Sequence, residues 1–380
     1  MRNAVLLAIL TILSIQLKSQ GQKDSTQSAF QFEASYIGDN INVISGGIKK
    51  SAAYLGFATF NVSFNFEKAR LWKGGLLHLH AANTHGSNPS ADFIGDFQVV
   101  SNIEAGNHTY LQEFWIKQNF GKLELTFGLQ DLNAEIAATE GGSLFLNSSF
   151  GILPSISANL SSPIFPLTAL GLTSKWYISE KSTWLAAIYD GNPTEFENNP
   201  YNLNWRYNTG DGILAITEFQ QNIEINSLPG ILKLGVFNHC HFIDKVRNVE
   251  VPDSINYCIN GAYLMIDQKI WQKSKNCFGF FTQLGVSPSK YSISNYYLGA
   301  GINFCGLFNK NVEDALGLAI AHVNFNDDLG SESAIELTYF NQITENIFIQ
   351  PDIQYIINPS GTRSGLQNAF TANIRFGINF

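Results

Sequence analysis

The closing stretch Phe370–Phe380 reads FTANIRFGINF. Phe370, Ala372, Ile374, Phe376, Ile378 and Phe380 fall on one face of a strand, and Thr371, Asn373, Arg375, Gly377 and Asn379 on the other, because successive strand side chains point to opposite faces. The same two-residue period recurs upstream. In FNVSFNFE, Phe60, Val62, Phe64 and Phe66 oppose Asn61, Ser63, Asn65 and Glu67; in KLELTFG, Leu123, Leu125 and Phe127 oppose Lys122, Glu124 and Thr126. After residue 19 no run of about 18 apolar residues occurs, so no membrane helix is expected there. Repeated strands with one apolar and one wettable face, ending on an aromatic residue, are expected to close into an antiparallel β-barrel in an outer membrane.

The bulk numbers agree with that fold class. Charged residues are 14% of the chain, while it holds 29 Phe, 14 Tyr and 32 Gly against 2 Met, a balance that favours sheet and turns. A formal net charge of −8 argues against nucleic acid as a partner. The N-terminus, MRNAVLLAILTILSIQLKSQGQ, has Arg2, an apolar stretch from Ala4 to Leu17 and small polar residues after it. It reads as a secretory signal peptide over residues 1–20, cut near Ser19–Gln22, leaving 21–380 as one barrel. Losing Arg2 and Lys18 takes Lys plus Arg from 23 to 21 against 31 acids, a mature charge of −10. Export into an oxidising compartment follows, and it bears on the cysteines.

Alternating segments bounded by turn residues number sixteen: 39–47, 53–66, 75–83, 109–119, 122–129, 167–178, 183–190, 212–222, 229–237, 257–270, 275–285, 291–304, 315–324, 332–342, 346–357 and 369–380. The first has the weakest pattern, and Phe30–Ile37 competes with it. Connections alternate in length. Gly121, Ser179–Ser182, Trp271–Ser274 and Thr344–Glu345 are short, whereas 84–108, 130–166, 191–211, 238–256 and 358–368 are long. Short periplasmic turns and long outer loops characterise outer-membrane barrels, and an even strand count leaves no unpaired edge. A secreted sandwich or propeller is the competing reading; a propeller requires an internal repeat, and none is visible.

Three stretches carry more than pattern: HGSNPSADFIGDFQVVSNIEA from His85, FGLQDLNAEIAATEGGSLFLNSSFG from Phe127 and ELTYFNQITENIFIQPDIQYIINPSG from Glu336. Their most specific pieces are Ile94–Gly95–Asp96, Phe145–Leu146–Asn147–Ser148–Ser149–Phe150, and Pro351–Asp352–Ile353–Gln354–Tyr355 followed by Asn358–Pro359. In this order they resemble the carbohydrate-selective porins, sugar channels of Gram-negative outer membranes, from about residue 33 to the end. The resemblance implies passive diffusion of small neutral sugars, monosaccharides such as glucose, with a general diffusion porin as the alternative. One position departs from it. Where family members often carry a basic residue after the glycine leading into the third outer loop, this chain has Leu129, Gln130 and Asp131, which weakens the transfer of substrate preference.

A porin holds a watery path open and narrows it with an infolded loop, where polar groups replace the solute's water contacts. Loop 130–166 is the expected constriction, with Asp131, Asn133, Glu135 and Glu140 as hydrogen-bonding groups beside Asn147, Ser148 and Ser149. Strand phasing places Arg375, Asp352, Gln350, Gln354 and Glu336 on the inner wall, together with Glu124, Asn61, Asn65, His78 and His80; a charge facing lipid near mid-membrane would cost about 2–4 kcal/mol. These residues are candidates for solute contact, or else for a charge ladder that stiffens the wall. Residues 110–119 alternate poorly, so Glu113 and Lys117 have no phase, and Trp72, Trp115, Trp176 and Trp205 are not placed inside or outside. His78 and His80 lack an identifiable third metal ligand, and His239–Cys240–His241 matches no common zinc spacing. No metal or other cofactor is expected. Cys240 ends a strand whose neighbour begins at Cys258, and Cys277 begins one whose neighbour ends at Cys305, so disulfides 240–258 and 277–305 are expected. There is no Gly-x-Ser-x-Gly elbow and no Ser/His pair that phases toward one site, so an enzyme is not the reading. The acidic balance predicts mild cation preference; trimeric association stays open.

Overall fold

In the computed structural model the alternating segments become sixteen antiparallel strands. The structure describes residues 28–380 apart from 206, 208–209, 247–248, 309–312 and 327–328, and the backbone alone over 241–257. The leader expected at 1–20 lies outside the described residues. The strands are β1 (Phe30–Gly47), β2 (Ser51–Asn65), β3 (Gly75–Gly86), β4 (His108–Asn119), β5 (Leu123–Gln130), β6 (Ala169–Tyr177), β7 (Ser182–Asp190), β8 (Ile213–Ile225), β9 (Leu228–Val246), β10 (Val249–Lys273), β11 (Asn276–Val286), β12 (Ser294–Cys305), β13 (Asp314–Phe325), β14 (Ser331–Gln342), β15 (Ile347–Ile357) and β16 (Gln367–Asn379). Each pairs with its chain neighbours, and β1 pairs with β16, so the sheet closes on itself. Closure satisfies every edge, which a sheet facing lipid requires.

Strand β1 covers both competing sequence segments. Its phase was hard to read for a physical reason. On its lower part the inward residues are Glu33 and Ser35, but on its upper part they are Ile41 and Val43, both buried. Those two side chains meet no water. They join an apolar cluster inside the barrel, with Ile94, Val100 and Ile103 from loop 87–107 and Leu132, Ile136, Phe145, Phe150, Leu153 and Ile156 from loop 131–168. The two infolded loops therefore give the upper barrel a core of its own, and polar inner faces survive mainly below it. Outside runs a belt of exposed apolar groups, among them Phe127, Ile188, Leu234, Val236, Leu318, Ile353 and Ile374.

Three local features complete the wall. Between His80 and Ala81 the β3–β4 register shifts, so that Gln112 is an extra residue on β4. Such a bulge reverses the alternation beyond it. That is why 110–119 resists phasing: Tyr110 and Gln112 point in above it, Glu113, Trp115 and Lys117 below it. Second, β5 stops lower than β4, and loop 191–212 fills the gap: Leu111 donates its N–H to Tyr201 O (3.1 Å), and Asn202 Nδ2 donates to Leu111 O (3.0 Å). Third, the stretch expected as loop 238–256 is mostly strand. Backbone pairing continues past Cys240–Cys258 to Ile243–Ile255 and Val246–Val249. Ile243, Val246, Val249 and Val251 favour extended backbone, and Pro252 falls where the register breaks, having no N–H for the ladder.

Candidate functional site

Loop 131–168 is closed at its base by Asp131. Its carboxylate accepts from the N–H groups of Asn133 (2.8 Å) and Phe165 (3.1 Å), while Leu132 N–H reaches Pro163 O (2.7 Å). Burial first, then the charge of Glu113, pushes the Asp131 carboxyl up to about 7. Beyond its base the loop crosses the lumen as a series of short turns, with Asn147 Oδ1 capping the one at Ser148–Gly151 through Ser149 N–H (3.1 Å).

Carboxylates on the wall hold these turns. Glu218 on β8 accepts from Ala137 N–H (2.9 Å). Asp267 on β10 accepts from Glu140 and Gly141 N–H (3.2 and 2.8 Å). Glu336 on β14 accepts from Leu146 and Asn147 N–H (2.6 and 3.0 Å). Four residues earlier on β14, Glu332 does the same for loop 87–107 through the N–H groups of Phe97 and Gln98 (2.8 and 2.9 Å), and also takes Ser360 N–H from the β15–β16 connection (2.6 Å). An ionised carboxylate is acceptor-only with about four lone-pair sites, so it suits pairs of adjacent backbone donors.

The residues nominated from β14 and β15 all face inward, but they lie under the loop. Glu336 and Gln354 are fully buried and Asp352 and Gln350 nearly so. Gln354 accepts from Asn147 Nδ2 (3.2 Å) and donates to Val100 O (2.8 Å); Gln350 donates to Leu144 O (2.7 Å); Asp352 accepts from Asn373 Nδ2 (2.9 Å). In this conformation they touch loop and wall. Glu135 bridges Lys117 (3.0 Å) and Lys175 (3.4 Å), while Glu124 sits 3.9 Å from Lys117 and accepts from Asn119 Nδ2 (3.0 Å). Burial opposes the charge of Glu135, but the two lysines outweigh it and hold its carboxyl below the usual range. Asn133 braces the loop internally, donating to Ile136 and Gly151 carbonyls, both at 3.2 Å. His78 bonds Ser63 (3.0 Å) and stacks on Trp115 with centroids 4.7 Å apart; His80 lies 3.7 Å from Glu113.

Arg375 is different. It faces Asp39 across the β1–β16 seam, Nε to Oδ1 at 2.7 Å and Nη2 to Oδ2 at 2.8 Å, and a further Nη2 bond reaches Asn102 Oδ1 at 2.8 Å. Two lumen cavities border it. The outer, about 620 Å³, is lined by His80, Glu104, Glu113, Asp131, Asn133 and Ser149 among others; the inner, about 790 Å³, by Glu140, Asp267, Lys269, Asn303, Glu313 and Gln350. Ile37 and Arg375 border both.

Sequence reasoning did not single out Asp39, Glu218, Asp267 or Glu332. A carboxylate at an inward position is a usable signal for the last three, once a loop is known to need anchoring. Asp39 becomes visible only through the pairing of the first strand with the last. Of the tryptophans left unplaced, Trp115 faces the lumen, Trp176 is exposed on the outer wall stacked with Trp184 (6.4 Å), Trp72 packs on Phe66 (3.9 Å) below β2, and Trp205 lies by Phe114 (5.8 Å). Cys240 stands opposite Cys258 with Cα atoms 4.1 Å apart, and Cys277 opposite Cys305 at 4.9 Å; the second pair borders the inner cavity.

Comparison with known proteins bears on this geometry. The profile of the carbohydrate-selective porin, OprB family, matches residues 49–380. Porin B of Pseudomonas aeruginosa is 21% identical over 409 residues, covering 93% of this chain and 88% of Porin B. The high-pH structure of Pseudomonas putida OprB is similar with a TM-score of 0.83 at 20% identity, covering 93% of this chain and 94% of that one. The trimer form of in-vitro folded OmpT, an outer-membrane protein of Vibrio cholerae, gives 0.55 at 8% identity over 92% and 99%. At such identities the structural likenesses speak for the fold alone.

Proposed function

The chain belongs to the carbohydrate-selective porin, OprB family, and on that premise we propose that small neutral sugars, hexoses first, cross it through the narrowing at Ile37 and Arg375. It is a sugar porin of the outer membrane. The observation that carries the finer reading is that the two cavities share Ile37 and Arg375 as lining residues. A hexose passing that point exchanges water contacts for Arg375, Asn102 and the loop's polar groups, which a pore of near its own width requires. In this reading Arg375, Asp131, Asn133 and His80 border the path. Glu336, Asp352, Gln350, Gln354 and Glu135 act one step back, setting where the loop lies, and Glu124 and His78 stiffen the lower wall. Nothing in this path needs a reaction, and we infer a channel without hydrolytic activity. Liposome swelling with purified, refolded protein tests the reading. Glucose should enter faster than amino acids of matched size, and a disaccharide more slowly. Rates that follow size alone would make this a general diffusion pore.

We also propose that the protein assembles as a homotrimer through the outer face of β1–β3. The apolar belt of the outer wall is interrupted here by Asn40, Asn42, Tyr36, Tyr54, Asn83 and His85, set among Gly38, Gly56, Ala52 and Ala58. Tyr36 meets Tyr54 hydroxyl to hydroxyl and His85 Nε2 at 3.1 Å. Asn40 is exposed on this face directly opposite lipid-facing Ile374. Polar side chains at that depth are costly against hydrocarbon, and small residues permit close approach of a second wall. Sedimentation in detergent should give a trimer that Asn40→Leu weakens; a monomer at all concentrations would sink the proposal.

A further inference from the structure

We propose that the pore sorts sugars by charge, admitting cationic amino sugars readily and excluding sugar acids of the same size. The inference rests on reading the lumen as the sugar path. It starts from the groups that border the two cavities. The outer one is lined by Glu104, Glu113 and Asp131, and the inner one by Glu140, Asp267 and Glu313. Of these six acids, burial pushes the carboxyls of Glu104 and Asp131 up to about 7, so near neutral pH they carry partial charge. Against the six, the lysines and arginines lining the cavities are Lys269, on the inner side, and Arg375, which borders both.

Arg375 adds little positive field to the path. Asp39 answers its guanidinium through two parallel bonds, with the carboxylate side chain fully buried behind it. Such a fork-to-fork pair is close to neutral at a distance, while it still presents donors at short range. Of the inward lysines beside the loop, Lys117 and Lys175 are engaged by Glu135, and Lys233 donates to Ala138 O (2.7 Å), within the field of Asp267. A solute on the path therefore meets donors from Arg375 and a surplus of carboxylates on each side of it. In a confined lumen with low-dielectric walls, charges of one sign focus the field and raise the local concentration of the opposite ion.

Glucosamine and glucuronate make the test, since both keep the size of glucose and differ from it by one charge. Planar bilayers holding the refolded protein are set with glucosamine hydrochloride on one side and potassium chloride on the other, near neutral pH. The measurement is repeated with potassium glucuronate against potassium chloride. Reversal potentials then give the permeability of each sugar ion relative to potassium or chloride. Relative permeability of glucosamine should exceed that of glucuronate on the order of tenfold. Glu140→Gln with Glu313→Gln should shrink that ratio several-fold. Glucose entry into liposomes is measured on the same preparations. If glucose enters but the two sugar ions permeate alike, charge sorting is overturned and the sugar path stands. If glucose does not enter, the reading of the path itself fails. If glucuronate permeates better than glucosamine, the sign of the filter is wrong and the proposal is lost.

Discussion

Arg375 illustrates how much one residue can depend on the far end of the chain. Its partner Asp39 lies 336 positions earlier, and both are buried at the seam. Removing one member of a buried pair strands the other charge, which typically costs about 3–5 kcal/mol. Arg375→Ala should therefore lower the unfolding free energy by that order in a urea titration followed by tryptophan fluorescence. The double change Asp39→Asn with Arg375→Gln should cost less than the two single changes added. Asp131 makes a second prediction at this scale. Its usual carboxyl value is 3.8 and its folded value about 7, so the folded loop holds that proton more tightly than an unfolded chain does. The sign follows: the loop base is most stable in acid, and stability is lost as pH rises from near 4 through about 7. Hydrogen exchange at Phe165 and Asn133, corrected for intrinsic rates, should quicken across that range, and Asp131→Asn should remove the dependence.

Among the elements, loop 131–168 owes its course to wall carboxylates more than to its own turns. Each of Glu336 and Asp267 takes two adjacent backbone N–H groups. An unsatisfied buried donor costs about 1–3 kcal/mol, so Glu336→Ala or Asp267→Ala should free that segment of the loop rather than unfold the barrel. Single-channel recordings are expected to show larger and noisier conductance, with gel mobility of the folded barrel unchanged. Strand pairing makes a further prediction. The register sets Cys240 against Cys258 and Cys277 against Cys305. Alkylation without reductant followed by mass spectrometry should find both links and no free thiol. Reduction should leave the barrel closed, because each link joins strands that are already paired by backbone bonds.

For the whole molecule, the interior divides into an apolar upper part, packed by two infolded loops, and a polar path that skirts them. The acids bordering that path agree in sign with the chain's net charge of −8. A potassium chloride gradient across a bilayer should therefore give a reversal potential of cation preference. Local charge outranks the net value in a narrow pore, so neutralising Glu113 should reduce that preference more than neutralising an acid on the outer rim.

What the amino-acid order determined by itself was whatever depends on neighbours along the chain. The two-residue period marks a strand wherever one face is apolar toward lipid and the other polar, and β16, β15 and β2 show that plainly. Alternating short and long connections set the direction of the strands, and the length of 130–166 marked the loop that folds into the lumen. Only the tertiary structure decided which inward residues see water. Ile41 and Val43 point inward yet pack on loop residues, so the upper half of β1 reads with the wrong face. Glu336 and Gln354 were legible as inward, but nothing local to β14 or β15 says that Leu146 and Asn147 come down to cover them. The bulge at Gln112 depends on how β4 pairs with β3, and Asp39 meets Arg375 only because the sheet closes. A strand's period records how its two faces differ. It does not record what stands opposite either face, and that is set by contacts between segments far apart in the chain.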